Sequence, residues 1–171
     1  ILGDEKIQVI DVGARDFSLE ELKNLKKSID LICFEAEKTE ANRLQLILNN
    51  EDFHKVRVFG LFIGNDDLAE KEFYLYKRLA ESSSFEPSQN FVNEFDRGFG
   101  IEKKISVNET TLEEVASKNS LNPDLIKLDN AFNRGVDTAF EKRYDAQGFV
   151  KVLLTCVNIS ARTVSYTHLR A

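Results

Sequence analysis

Ile7-Gln-Val-Ile-Asp-Val-Gly-Ala-Arg15 sets Ile7, Val9, Ile10 and Val12 around one aspartate and then breaks at a glycine and an alanine. A short apolar run rich in β-branched residues is what a parallel strand buried on both faces looks like. Open parallel sheets bind ligands in the crevice beyond the carboxyl ends of their strands. Asp11 and Gly13 stand at such an end. The same pattern also serves an ordinary strand-turn-helix whose glycine is there for packing, so the flanking chain has to decide between the two.

Working outward, Ser18-Leu-Glu-Glu21 has the spacing of a capping box and predicts a helix start. Leu19, Leu22, Leu25 and Ile29 recur at helical intervals with Lys23, Lys26 and Lys27 mostly on other faces, as in a helix packed on a sheet. Asp30-Leu-Ile-Cys-Phe-Glu35 is a second short strand, ending in a carboxylate. A second helix is expected from about Thr39, with Ala41, Leu44, Ile47 and Leu48 inward and Asn49-Asn50 as its stop. Lys55 to Ile63 reads as a third strand, followed by the turn signal Gly64-Asn-Asp-Asp67. Such β-α-β-α-β alternation predicts an α/β fold with a parallel sheet and right-handed crossovers, which makes Asp11, Glu35 and the Phe62–Gly64 region neighbours.

Lys71 to Arg78 alternates Phe73 and Leu75 with Tyr74 and Tyr76, an extended strand with one wetter face. Ser82 to Pro87 reads as a surface loop, and Phe91 to Gly100 has no period and is a loop or a short helix. Glu102 to Val107 resembles an exposed strand, and Thr111-Leu-Glu-Glu114 is a second capping box, opening a helix through Ser117. Leu125-Ile-Lys-Leu-Asp129 is a fourth core strand with an acidic residue at its carboxyl end. Beyond Asn130 the pattern weakens to a helix over Phe132–Tyr144, with Phe132, Val136 and Phe140 on one face, and a strand over Phe149–Val157. Thr163 to Ala171 has no turn logic and is similar to a translated sequencing adapter. Residues 1–157 are therefore expected to form one domain and residues 158–171 an artefactual or disordered tail.

A length of 171 residues fits one domain with its own core. With 23 basic against 29 acidic residues the net charge is -6, which gives no field to hold a phosphate backbone and argues against nucleic acid as a partner. Cys33 and Cys156 are far apart and outside any CxxC pair, so they read as buried thiols and not as a disulfide or a zinc site. No apolar run approaches a membrane span, and no basic-then-apolar signal opens the chain, so a cytoplasmic protein with no membrane partner is expected. Because it begins at Ile1 and contains no Met, the sequence reads as a fragment.

Carboxylates at successive strand ends, with a glycine turn between them, suit a nucleoside. Glu35 at the end of the second strand can accept from both ribose hydroxyls, although a solvated strand-end charge has the same sequence pattern. A dinucleotide site needs G-x-G-x-x-G to seat a pyrophosphate. Gly13-Ala-Arg-Asp-Phe-Ser18 has a single glycine, which argues against a nicotinamide oxidoreductase and for a cofactor with adenosine but no phosphate, S-adenosylmethionine being the common one. His54 precedes the third strand, away from the ligand edge, and reads as a surface histidine.

V-I-D-V-G-A-R at 9–15, F-E-A-E at 34–37, S-S-S-F-E-P at 82–87, T-T-L-E-E-V at 110–115 and D-L-I-K-L-D at 124–129 together resemble the FkbM-type methyltransferases in order and spacing, over about residues 5–129. The resemblance implies a Rossmann-like class I methyltransferase sheet, mostly parallel and here incomplete at the C-terminus. It also implies S-adenosylmethionine as cofactor and methyl transfer to a hydroxyl of a small-molecule or glycan acceptor, such as a sugar or a polyketide-like compound. Carried over by position, Asp11, Gly13 and Arg15 would form the methionine-side cofactor loop, Glu35 would bind the ribose, and Leu61 with Phe62 would flank the adenine. Asp129 and Lys127 would face the transfer site, with Asp129 as candidate base or, equally, as a capping aspartate. Two departures stand out. Asp16 and Phe17 replace a further glycine of the family, and Asn130-Ala-Phe-Asn-Arg134 stands where it has a glycine turn, a similar string reappearing at Asp145-Ala-Gln-Gly-Phe149. The alternative from another class is a non-catalytic nucleoside-binding or interaction domain on the same fold.

Overall fold

The computed structural model describes residues 6–15, 17, 20–64, 69–94, 97–128 and 151–154. Its strands are β1 (Ile7–Val12), β2 (Ile29–Phe34), β3 (Lys55–Phe59), β4 (Phe62–Ile63), β5 (Ala69–Tyr76), β6 (Ile101–Thr110), β7 (Leu125–Leu128) and β8 (Lys151–Leu154). The main sheet has the order β3-β2-β1-β7-β8, and every pair in it is parallel. From β1 the chain proceeds to β2 and β3 on one side, and β7 then returns to the other side of β1. The direction of the strand order reverses between β1 and β7, which is where open α/β sheets form a ligand crevice.

Register keeps the strand ends level, with Val12 opposite both Phe34 and Leu128, and Phe34 opposite Phe59. Alternation sends successive side chains to opposite faces. Val9, Leu31 and Cys33 pack with Leu44 and Leu48 on one face. Ile10, Val12, Ile32, Phe34, Ile126 and Leu128 pack with Val115 and Ile63 on the other. Burial on both faces is why β1, β2 and β7 read as near-continuous apolar runs. The parallel α/β architecture expected from the sequence is present.

The first crossover differs from the amphipathic helix expected. Glu20–Ser28 winds as a 3-10 helix of nine residues, spanning about 18 Å where an α-helix of that length spans about 13.5 Å. A parallel crossover must return the length of the strand before it, which for the six residues of β1 is about 20 Å. The tighter, longer winding covers that distance with a short segment. Leu22 packs on the core and Ile29 already belongs to β2, but Leu25 is 38% exposed. Ser18 and Leu19 lie outside the described residues, and so does the proposed cap.

Helix α1 (Lys38–Leu48) buries Ala41, Leu44 and Leu48 and ends at Asn49, as its pattern indicates. Ile47, expected inward, is 45% exposed, because it lies about 100° around the helix from Leu48.

The expected third strand over Lys55–Ile63 is instead two strands in two sheets. Gly60 makes the break. A Cβ there would lie 3.1 Å from Lys38 Cγ and 3.4 Å from Lys38 Cα, so the chain passes hard against the start of α1 before leaving the main sheet. In the second sheet, of order β4-β6-β5, β4 runs parallel to β6 and β5 antiparallel to it.

Both faces of β5 are covered at its end, so the wetter face expected there is absent. Phe73 and Leu75 pack with Phe62 and Val107, while Tyr74 and Tyr76 pack with Phe99 from the segment whose fold the sequence left open. That segment holds a short helix α2 (Gln89–Glu94) and a 3-10 turn over Arg97–Phe99. The tyrosine hydroxyls stay satisfied inside, Tyr74 donating to Glu72 and Tyr76 to the Phe85 carbonyl. The strand expected over Glu102–Val107 is longer, β6 being exposed at its start and buried at its end.

Half of the second capping box is formed. Thr111 Oγ1 accepts from the Glu114 amide at 3.1 Å and opens α3 (Leu112–Asn119). The Glu114 carboxylate pairs with Lys118 at 2.7 Å. β8 falls within the strand expected over Phe149–Val157. The helix expected over Phe132–Tyr144, the tail at 158–171, Cys156, Asp129 and both glycine-turn strings lie outside the described residues.

Candidate functional site

Across the middle of the main sheet, Cys33, Asp11 and Lys127 form one row, Asp11 being in register with each of the other two. The Lys127 ammonium donates to both oxygens of Asp11, at 3.2 and 3.4 Å. Asp11 has no exposed surface, and the Lys127 side chain is 11% exposed. Burial, with the Asp11 charge next to it, pushes the Cys33 thiol well above its ordinary value, so it is a packing residue and not a nucleophile.

One turn beyond β1 the chain bends over the end of β2. Gly13 takes φ of +80°, a left-handed conformation that glycine adopts without a Cβ penalty. The bend lets the amides of Gly13 and Ala14 both donate to the Phe34 carbonyl, at 2.9 and 3.1 Å. Arg15 is thereby delivered to the carboxylates that follow β2. Its guanidinium bonds Glu37 and lies 3.7 Å from Glu35 Oε1.

Glu35 is 5% exposed. Its Oε1 accepts the Glu37 amide at 3.0 Å, and its Oε2 has no hydrogen-bond partner among the described residues. Burial raises the Glu35 pKa, the Glu37 amide and Arg15 oppose that rise, and the charges of Glu40 and Glu37 add to it. Glu40 belongs to the same corner and is gripped by Arg43 at 2.6 and 2.8 Å, which holds its carboxyl below the usual range.

The structure thus gathers Asp11, Gly13, Arg15, Glu35 and Lys127 at the carboxyl ends of β1, β2 and β7. Leu61 and Phe62 are turned to packing. Leu61 supports the cluster around Phe34, and Phe62 meets Phe73 at 5.7 Å between ring centroids. Ala36 packs on that second cluster, so the small sheet adjoins the end of β2. Ser82 and Ser83 brace β5, Ser82 Oγ accepting the Tyr76 amide and Ser83 bridging Tyr74. His54 pairs with Asp30 at 2.6 Å, by the amino ends of β2 and β3.

No family model, curated protein or solved structure matches this chain. The site therefore rests on its own chemistry. Glu37 is a participant that sequence reasoning passed over. Its signal was the F-E-A-E spacing, two carboxylates two residues apart just past a strand, opposite a turn that carries an arginine.

Two cavities lie away from this edge. One of about 840 Å³ sits beside the second sheet between Lys77, Glu86, Val92 and Ile101. The other, of about 490 Å³, lies between the Lys23–Ser28 segment and Asn50–Asp52. Neither is lined by Asp11, Glu35 or Lys127, and both are open and polar. Among the described residues, no helix is long and apolar enough to cross a membrane, and no cluster of three His, Cys, Asp or Glu residues suits a metal ion.

Proposed function

We propose that the protein binds an adenosyl ligand at the β1–β2 edge and acts as an S-adenosylmethionine-dependent methyltransferase of the FkbM type, on a Rossmann-like class I sheet. The acceptor would be a hydroxyl of a sugar, a glycan or a polyketide-like compound. One observation carries the reading: the buried Glu35 carboxylate keeps one oxygen without a partner among the described residues, beside a single-glycine turn at the end of β1 in a parallel sheet.

A buried acceptor without a donor costs free energy, and the paired hydroxyls of a ribose supply donors. The lone glycine suits a ligand without pyrophosphate. When bound, S-adenosylmethionine supplies a methyl group already activated on a sulfonium, so the protein mainly has to bind and orient. Glu35 would hold the ribose, and the Gly13–Arg15 turn would border the rest of the cofactor. Lys127, braced by Asp11, would stand near the acceptor, with Asp129 two residues further on as candidate base.

A second reading has its own observation. The Gly13 and Ala14 amides are engaged by Phe34, and Arg15 Nη2 by Glu37, so that neither amide is open to the amino-acid end of the cofactor. With those two amides taken, a non-catalytic site for a nucleoside alone is favoured.

Calorimetry with S-adenosylmethionine, S-adenosylhomocysteine, adenosine and NADH separates these readings. The methyltransferase reading expects S-adenosylhomocysteine to bind at least tenfold tighter than adenosine, and NADH not to bind. Equal affinity for adenosine supports the nucleoside module. Absence of heat and of a thermal shift with every adenosyl probe at millimolar concentration rejects both.

A further inference from the structure

The corner after β2 holds three carboxylates, Glu35, Glu37 and Glu40, within one turn of chain. Arg43 neutralises Glu40 from the helix side. Against Glu35 itself the opposing cation is Arg15, whose side chain is 9% exposed. Arg15 is held there by a two-part device. The Gly13 turn ties the loop to the Phe34 carbonyl through two amides, and the Glu37 carboxylate grips the guanidinium. Glu37 also donates its amide to Glu35 Oε1, so one residue fixes both the acid and its counter-ion.

We infer that Arg15 is a positioning residue for a vicinal diol. Held by Glu37 over the end of β2, it balances the acidic corner so that Glu35 stands there as an ionised acceptor for two hydroxyls of the ligand. The inference rests on the adenosyl reading for the identity of the diol, but its electrostatic core belongs to the free protein. A protonated Glu35 would offer a donor where the diol also offers donors, and the match would be lost. Opposite charge at this distance favours the ionised form, while burial and the neighbouring Glu37 and Glu40 disfavour it. The Glu37 amide and, after it, Arg15 are what oppose them.

The test titrates Glu35 in the ligand-free protein, by carbon NMR with carboxyl-labelled glutamate, in the wild type, Arg15→Gln, Arg15→Lys and Glu37→Gln. Arg15→Gln is expected to move the Glu35 midpoint upward and Arg15→Lys to restore most of it. Glu37→Gln is expected to move the midpoint upward by less, because it releases the guanidinium that Glu37 holds beside Glu35 while also removing a repelling charge. General loosening would expose Glu35 to solvent and move the midpoint the other way, since burial is what raises it most. An unchanged midpoint in Arg15→Gln, or a downward movement in Glu37→Gln, overturns the inference. Should Arg15→Gln not fold, the Arg15→Lys and Glu37→Gln arms carry the same decision.

Calorimetry with S-adenosylhomocysteine across neutral pH is the second arm. In Arg15→Gln, affinity should fall about tenfold per pH unit below the Glu35 midpoint, where the wild type stays level. A loss equal at every pH assigns Arg15 a contact or folding role and overturns the inference. Absence of binding by the wild type, together with the expected NMR movements, overturns the adenosyl reading and sustains the role of Arg15.

Discussion

Asp11 and Lys127 face each other in register across β1 and β7, the ammonium 3.2 Å from one carboxylate oxygen and 3.4 Å from the other. Two charges taken from water at the centre of a sheet are tolerable only as a pair. Lys127→Met or Asp11→Leu alone should each cost about 3 kcal/mol, since either takes the facing opposite charge from a buried ionised group. The double replacement should recover at least half of the larger single loss. Urea unfolding of the three variants checks this, and additive losses would count against the pair as the dominant contact of either residue.

Glu35 carries a cost of the opposite kind. Its folded carboxyl titrates above the ordinary 4.5. Between the unfolded and folded values the native state keeps a proton that the unfolded chain has released, so stability falls as pH rises through that window. Glu35→Gln removes the penalty. The ligand-free variant should be more stable than the wild type at neutral pH by about 1 kcal/mol, with the gain vanishing below 4.5. Thermal unfolding across that range measures both, and adenosyl binding should weaken in the same variant.

In the second sheet, Gly64 lies against the buried Glu109. A Cβ at Gly64 would come within 1.8 Å of Glu109 Oε1 and 2.8 Å of its Cγ. Glu109 is 2% exposed and paired with Lys71 at 3.1 Å, so it has little room to yield. Gly64→Ala should therefore destabilise by about 1–3 kcal/mol. The same change on a Glu109→Ala background should cost almost nothing more. Equal costs on the two backgrounds in denaturant unfolding would locate the strain elsewhere.

The Tyr74 hydroxyl donates to Glu72, and that bond, with smaller help from burial and nearby carboxylates, raises its pKa from 10.0 to about 12. Between those values the unfolded chain loses the proton and the native state keeps it, so stability is lost as pH rises through that interval. Alkaline titration followed by phenolate absorbance should show Tyr74 ionising late among the four tyrosines. Glu72→Gln should bring it back towards 10.0.

Much of the main sheet was legible because β1, β2 and β7 are buried on both faces and say so residue by residue. Their shared edge followed from alternation, and with it the neighbourhood of Asp11 and Glu35, whereas Lys127 was singled out only through the family resemblance. The division at Gly60 was not legible. Lys55–Ile63 is apolar throughout, and what separates its halves is the close approach of Lys38 together with pairing of Phe62 and Ile63 to Glu109 and Thr110. Partners that far along the chain leave no mark on local periodicity. Tyr74 and Tyr76 looked half-wet for the same reason, their cover being Phe99 in a stretch without period. Arg15 took its cofactor-loop role from the family resemblance. Its reach to Glu37 is a matter of side-chain length and of the Gly13 bend, and neither is written in spacing.

The central position of β1 carries a kinetic consequence. One of its edges pairs with β2 as soon as the first crossover closes, but the other waits for β7, whose partner residues lie 116 positions later, as in the bond from the Gln8 amide to Asp124. The whole second sheet is inserted in that interval. Pairing over such a separation is slow, because loop closure precedes the contacts that reward it. During synthesis this buried central strand therefore holds an open edge until Leu125–Leu128 has emerged. Chains stopped before that point should fail first by edge-to-edge association, with every residue of the Arg15–Glu35 corner already in place.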